Sequence, residues 1–284
     1  MRRLLCSASR PHLEWHRHTP KKVEGAPLLL IHGFACGKNN WGVLPRLLAA
    51  KSKREVITFD HQGLGASSPP SGTLTVSDIA ADAKRVLDEA GIGSAAILGI
   101  SLGGMAAQSL ALEHPDCVSG LVLGCTTHGG REVATPDPSF LKVCQSWAED
   151  RDPNSSPHVE QFIRSMLPAT FLEQHSAPKL LEQFRTAFLE VPRSRAGMQG
   201  QLAAMGRFNS TKRLAEIACP TLIVTGDADA VMPTTTSESL ARRIPGAELC
   251  ILHGHGHFWW AESTAEVAGM ISRFLQRCDG RYIM

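Results

Sequence analysis

Short apolar runs separated by helical stretches dominate this sequence. The runs are Pro27–Ile31, Glu55–Phe59, Ala95–Ile100, Gly120–Gly124, Thr221–Thr225 and Ala247–Leu252. Their near-continuous hydrophobicity suits strands buried on both faces. Candidate helices lie between and after them at Val76–Ala90, Leu102–His114, Thr234–Arg243 and Thr264–Cys278. Strand, crossover helix, strand is the pattern of an α/β fold, a mostly parallel central sheet with helices on both faces. An earlier run, His12–Thr19, alternates in polarity and reads as an antiparallel edge strand.

The alternation breaks between about His128 and Arg213. Pro136, Pro138, Pro153, Pro157, Pro168, Pro178 and Pro192 fall there, with helical stretches between them and no convincing strand. A long helical excursion between two strands reads as an inserted cap over the sheet. The expected organisation is a core of residues 12–127 and 214–278, a helical cap of residues 128–213, and a short tail of residues 1–11.

A chain of 284 residues is long enough for one such domain with an insertion. Its net charge of +2 supplies no basic field for nucleic acid. No apolar run is long enough to span a bilayer, and no secretory signal is visible. None of the eight cysteines forms a C-x-x-C pair, which reads as reduced thiols in a cytoplasmic protein. Cys125 and Cys250 lie in apolar runs and read as small core residues. Arg2, Arg3 and Arg10 precede the first acid, Glu14, and weakly resemble a mitochondrial presequence. A short basic tail is the preferred reading of them. The expected partner is a small-molecule substrate, with no cofactor and no metal; oligomeric state is left open.

The strongest local signal is Gly99-Ile100-Ser101-Leu102-Gly103-Gly104. It matches G-x-S-x-G, follows an apolar run, and opens a helix rich in small residues. A serine on so sharp a turn projects its hydroxyl from the carboxyl end of the sheet, beside free N–H groups at a helix start. The bland alternative is a glycine-rich turn with an incidental serine; the flanking strand and helix favour the nucleophile. A serine hydroxyl needs a base. With twelve histidines present, setting must choose. His257 lies in His253-Gly254-His255-Gly256-His257-Phe258, just after the last strand and at the same sheet edge as Ser101. An orienting acid belongs on the strand end between them, where Asp227 and Asp229 both qualify. The backbone N–H groups of Phe34, in His32-Gly33-Phe34, and of Leu102 are candidate oxyanion donors.

With these pieces in view the chain resembles the α/β-hydrolase family from His12 to Cys278. The matching segments are Leu29–Phe34, Phe59–Ser67, Gly99–Gly104, Thr225–Pro233 and Gly256–Phe258, in that order. The resemblance picks Asp229 over Asp227, and His257 over His253 and His255. It also marks a departure: Gln62 stands where the family usually has a loop-supporting arginine. Ser101 replaces the aspartate nucleophile of epoxide hydrolases and haloalkane dehalogenases. The resemblance implies a serine hydrolase acting on an ester, lactone or thioester of a small to medium apolar substrate, through an acyl-enzyme. Alternatives on the same fold are C–C bond hydrolysis, acyl transfer to another acceptor, and ligand binding with little turnover. A zinc hydrolase using His253, His255 and His257 is a rival from a different class.

The apolar residues expected at the substrate are Trp147, Phe162, Met166, Phe188, Met205 and Phe258. Trp259 and Trp260 read equally as cleft wall or helix packing. Arg164, Arg185, Arg193 and Arg195 read as solvated surface residues, with carboxylate binding as the alternative.

Overall fold

The computed structural model describes residues 11–130, 136–154, 157–174 and 177–280. The basic tail with Arg2, Arg3, Cys6 and Arg10 lies outside the described residues. In the first half of the chain β1 (Trp15–His18), β2 (Leu28–Ile31), α1 (Leu44–Ser52), β3 (Val56–Phe59), α2 (Val76–Glu89), β4 (Ala95–Ile100), α3 (Leu102–Glu113) and β5 (Val118–Gly124) follow in order. Next come α4 (Pro138–Glu149), α5 (His158–Met166), α6 (Ala169–Leu172), α7 (Ala177–Leu189) and α8 (Arg195–Arg207). The chain then returns through β6 (Thr221–Gly226), α9 (Thr234–Arg243), β7 (Glu248–Leu252), α10 (Trp259–Glu262) and α11 (Thr264–Cys278).

The strands form a seven-stranded sheet in the order β1-β3-β2-β4-β5-β6-β7. Only β1 runs antiparallel, pairing Trp15 with Phe59 and His18 with Val56. Side chains on a strand alternate between faces, and the two cores follow that rule. Leu28, Leu30, Leu98, Val122 and Val224 face one layer, with Leu44 and Leu48 of α1 and Ile271 and Phe274 of α11. Leu29, Ile31, Ile97, Leu123 and Ile223 face the other, with Ile79 and Val86 of α2, Leu110 of α3 and Leu240 of α9. All four residues of β2 are fully buried, which is why that run shows no polar alternation.

Strand ends lie within two residues of the expected bounds except at β1, which starts three residues later than expected, and β4, α9 and α11 match theirs. The sequence reading has no helix between the first two apolar runs, where the structure forms α1. Its signal is short: Leu44 and Leu48 one turn apart, Pro45 in the first turn, and Lys53 closing it at φ 54°. The opposite case is α2, which announces itself by a capping box. Thr75 Oγ1 accepts from the Asp78 N–H at 3.1 Å, and Asp78 Oδ2 accepts from the Thr75 N–H at 2.8 Å.

Helices α4 to α8 lie between β5 and β6, with no strand among the described residues of that stretch. A bridge between Gly129 and Asn209 ties its outgoing and incoming chains together, and a second joins Leu64 to Arg193. Its apolar residues, including Phe162, Met166 and Met198, continue the core that covers the α1 face of the sheet.

Candidate active site

Ser101 sits at the turn from β4 into α3 with φ 54° and ψ −119°. An L residue in this region is strained, and the surroundings hold it there. Its N–H donates to the Gly124 carbonyl at 2.9 Å, and its carbonyl accepts from Thr126 Oγ1 at 2.7 Å. The small neighbours are needed for close approach. A methyl group on Gly104 would stand 2.6 Å from Thr126 Cβ, and one on Gly99 2.7 Å from Ala107 Cβ.

At the ends of the next strands, Asp229 Oδ2 lies 2.7 Å from His257 Nδ1. The carboxyl side chain is 0% exposed and the imidazole 3%. Asp229 Oδ1 accepts from the N–H groups of Val231 and Met232 at 2.8 and 2.9 Å, so both carboxylate oxygens are engaged. Burial lowers the His257 pKa, but the adjacent Asp229 carboxylate more than offsets it, and the net shift is upward. With Nδ1 on the carboxylate, Nε2 is the ring nitrogen left for other partners. His257 and Ser101 line the same cavity; no hydrogen bond joins the Ser101 hydroxyl to the ring among the described residues. Such bonds are commonly long without substrate and tighten in the complex.

Asp227 has a different role. It pairs with His253 at 2.7 Å, accepts from the Gly254 N–H, and is 38% exposed, a solvated turn acid. His255 contacts the His253 carbonyl through Nδ1 and Ser263 through Nε2. The three alternating histidines therefore turn to different partners, and they form no metal-ligand group among the described residues. The described residues with metal-ligand spacing are instead Cys125, Asp229 and His257, whose ligand atoms lie within 4.8 Å of one another. Two of these residues are already joined to each other by the hydrogen bond between Asp229 and His257. Cys125 is fully buried at φ 36°, its thiol pointing to the His257 carbonyl at 3.4 Å. Burial raises its pKa.

The loop after β2 crosses in front of Ser101; a methyl on Gly33 would lie 3.3 Å from Ser101 Cβ. The Gly33 N–H donates to His32 Nδ1 at 2.8 Å, which leaves Nε2 to carry the ring proton. Burial holds the His32 pKa well below the ordinary value, so the ring stays neutral. Neither the Phe34 nor the Leu102 N–H makes a hydrogen bond among the described residues. Leu102 is the first residue of α3, where N–H groups have no partner in the helix.

Ser101 and His257 open onto a cavity of about 380 Å³. Of the residues expected at the substrate, Phe162, Met166, Met205 and Phe258 line it. Trp147 and Phe188 do not. Trp147 is fully buried, its indole N–H bonded to the Pro153 carbonyl at 2.9 Å, and Phe188 stacks behind Phe258 with ring centres 6.0 Å apart. Both are core of the helical segment. A large aromatic residue has no sequence mark that separates lining a cleft from supporting its wall. Phe140, Leu202 and Val231 also line the cavity, outside the six residues expected there, and Trp260, read equally as wall or packing, is a wall residue. Val231 had a usable signal, its place two residues after Asp229. Trp259 is the packing member of its pair, covering Gly124.

Arg193 departs from the expected solvated state. It is 3% exposed, while Arg164 and Arg185 pair with Glu160 and Glu182 at the surface. Gln62 keeps a loop-anchoring contact, with Nε2 donating to Asp82 Oδ2 on α2 at 2.7 Å. Burial raises the Asp82 pKa. No helix among the described residues is long and apolar enough to cross a membrane.

Residues 26–262 match the family model described as alpha/beta hydrolase fold. A poly(3-hydroxyalkanoate) depolymerase from Ectopseudomonas oleovorans is 31% identical over 265 residues, spanning 93% of this chain and 89% of its own. A 2-hydroxymuconate semialdehyde hydrolase from Pseudomonas sp. strain CF600 is 31% identical over 274 residues, spanning 91% and 90%. Among solved structures, a thermophilic esterase from Thermogutta terrifontis matches with a TM-score of 0.80 at 25% identity, covering 96% of each chain. Sheet order, serine turn and sequence relatives agree, and the chain belongs to the α/β-hydrolase-fold family.

Proposed function

We propose that this protein is a serine hydrolase that cleaves a carboxylic ester of a small to medium apolar substrate through an acyl-enzyme on Ser101. The observation that carries the reading is the buried Asp229–His257 hydrogen bond, whose imidazole shares a cavity with a serine held at φ 54°. In the reading, His257 Nε2 takes the Ser101 proton as Oγ attacks the ester carbonyl carbon. Asp229 keeps the proton on Nδ1 and stabilises the imidazolium. The free N–H groups of Phe34 and Leu102 receive the oxyanion, each supplying about 3 kcal/mol in the transition state. His257 then protonates the leaving alcohol, and water attacks the acyl-enzyme by the same route.

The substrate class rests on the cavity. Its wall is built from Phe140, Phe162, Met166, Leu202, Met205 and Phe258, and apolar surface of this kind favours apolar groups. Helices α4 to α8 act as the cap in this reading, since they supply most of that wall. The esterase and depolymerase relatives are consistent with ester cleavage. A second reading, C–C bond hydrolysis on the same residues, is favoured by the 31% identity to the semialdehyde hydrolase.

The test is turnover of p-nitrophenyl esters of graded chain length, run beside Ser101→Ala. The expected result is hydrolysis of short to medium chains by the wild type, and a kcat lower by about 10⁴–10⁶ in the variant. Wild-type turnover by a clean Ser101→Ala preparation contradicts the reading. Absence of ester hydrolysis, with cleavage of vinylogous diketones instead, selects the second reading.

A further inference from the structure

Ala35 is the residue after the proposed oxyanion donor, and it is held in an unusual way. It is a non-glycine residue at φ 57°, fully buried. Its N–H donates to Gln201 Oε1 at 2.9 Å, and its carbonyl accepts from Arg193 Nε at 2.9 Å. Both partners are more than 150 residues away in sequence and come from the helical segment: Arg193 precedes α8 and Gln201 lies within it.

The Arg193 side chain is itself fixed by other groups. Arg193 Nη1 donates to the carbonyls of Phe188 and Val191 at 2.6 Å each. Its guanidinium carbon lies 5.1 Å from the ring centre of Trp147 and 5.5 Å from that of Phe188. The Arg193 backbone is tied by its N–H to Asn154 Oδ1 at 2.7 Å. Among the described residues, none of the contacts made by this buried cation is to a carboxylate. Carbonyls and ring faces hold it, and one of those carbonyls belongs to Ala35. Gln201 is fully buried and spends its one acceptor oxygen on Ala35, while its Nε2 finds no partner among the described residues.

The peptide unit that carries the Phe34 N–H lies between two anchored neighbours. The unit before it is fixed through the Gly33 N–H on His32 Nδ1, and the unit after it through the Ala35 N–H on Gln201. We propose that Gln201 and Arg193 are positioning residues, which clamp Ala35 in its left-handed conformation and so aim the Phe34 N–H at the oxyanion. Seating of the helical segment is thereby coupled to transition-state stabilisation as well as to substrate access. The inference rests on the proposed serine-hydrolase reading.

The experiment compares Gln201→Met, which keeps volume and removes the acceptor, with Gln201→Glu, which keeps an acceptor oxygen. A short-chain p-nitrophenyl ester and an aryl trifluoromethyl ketone, which adds to serine as an oxyanion, are the probes. Gln201→Met is expected to lower kcat by about 10- to 100-fold, part of the ~10²–10³ that one oxyanion donor supplies. KM should stay within about threefold, and ketone affinity should fall in step with kcat/KM. Gln201→Glu should restore most of the loss. Arg193→Lys, which keeps the charge and loses the planar fork, should show the same kcat pattern. If Gln201→Met does not fold, Gln201→Asn, one methylene shorter and equally polar, carries the same expectation. An unchanged kcat in Gln201→Met and Arg193→Lys, or a loss confined to KM, overturns the proposal. Failure of the serine-hydrolase reading is separate, because it appears as wild-type turnover in Ser101→Ala.

Discussion

His257 Nδ1 and Asp229 Oδ2 meet at 2.7 Å with both side chains out of solvent, and each is anchored from a different strand end. Burial raises the worth of this pairing, since a buried carboxylate without partners is strongly disfavoured. Asp229→Asn should therefore lower kcat by about 10⁴, because the amide stabilises the wrong imidazole tautomer. Asp227→Asn, at an exposed acid bonded to His253, should leave kcat within about threefold. Steady-state kinetics of the two variants checks the pair; equal effects would contradict the assignment.

The activity should have an acid limb set by His257. A base must be neutral to accept the serine proton, so activity is lost as pH falls through its pKa. Burial lowers that pKa, and the Asp229 carboxylate opposes this, for a net upward shift. The limb of kcat/KM should therefore fall above pH 6.5, the ordinary histidine value. In Asp229→Asn the residual activity should show the limb moved downward. A wild-type limb below pH 6 contradicts this account of the site.

Glu262, in the short helix after His257, predicts a pH effect on stability. Burial raises its pKa from the usual 4.5 to about 7, against hydrogen bonds from the Gly256 N–H. Between those values the native state holds a proton that the unfolded chain releases. The contribution is present below pH 4.5 and lost as pH rises through about 7. Glu262→Gln should unfold with a shallower decline in stability from pH 5 to pH 8 than the wild type. Denaturant titrations across that range give the comparison; parallel curves for the two proteins would count against the shift.

Packing predicts that two large apolar residues of the helical segment behave differently. Trp147 is fully buried away from the cavity, so Trp147→Ala should lower unfolding stability by about 3–5 kcal/mol. Met205 is half-buried and lines the cavity, so Met205→Ala should change the preferred acyl length at small stability cost. Thermal unfolding and chain-length profiles separate the two. A Trp147→Ala protein of wild-type stability would refute the packing assignment.

Gly104→Ala tests the serine turn. Its methyl would stand 2.6 Å from Thr126 Cβ, and Thr126 also bonds the Ser101 carbonyl. Activity should fall by at least tenfold even where the protein folds, because the turn must shift. Wild-type activity in this variant would show that the turn tolerates movement.

Much of this architecture was legible because it rests on local chemistry. Apolar runs such as Leu28–Ile31 have no polar alternation because both faces are buried, and the Ser101 turn needs glycines in fixed places. The antiparallel edge strand was legible from the alternation around Trp15. What escaped depends on tertiary placement. The helix α1 is short, with few buried positions to mark it. Trp147 and Phe188 have the same composition signal as Phe162, yet one layer of side chains decides which of them meets the cavity. Arg193 reads as a surface residue in sequence because nothing local indicates that Ala35, Phe188 and Val191 will surround it.

Reaction with a fluorophosphonate, followed by intact mass and peptide mapping, tests the central claim most directly. The account predicts a single adduct, on Ser101, absent in Ser101→Ala and formed at least ~10³-fold more slowly in His257→Ala. An adduct on another residue, or labelling of His257→Ala at the wild-type rate, would contradict it.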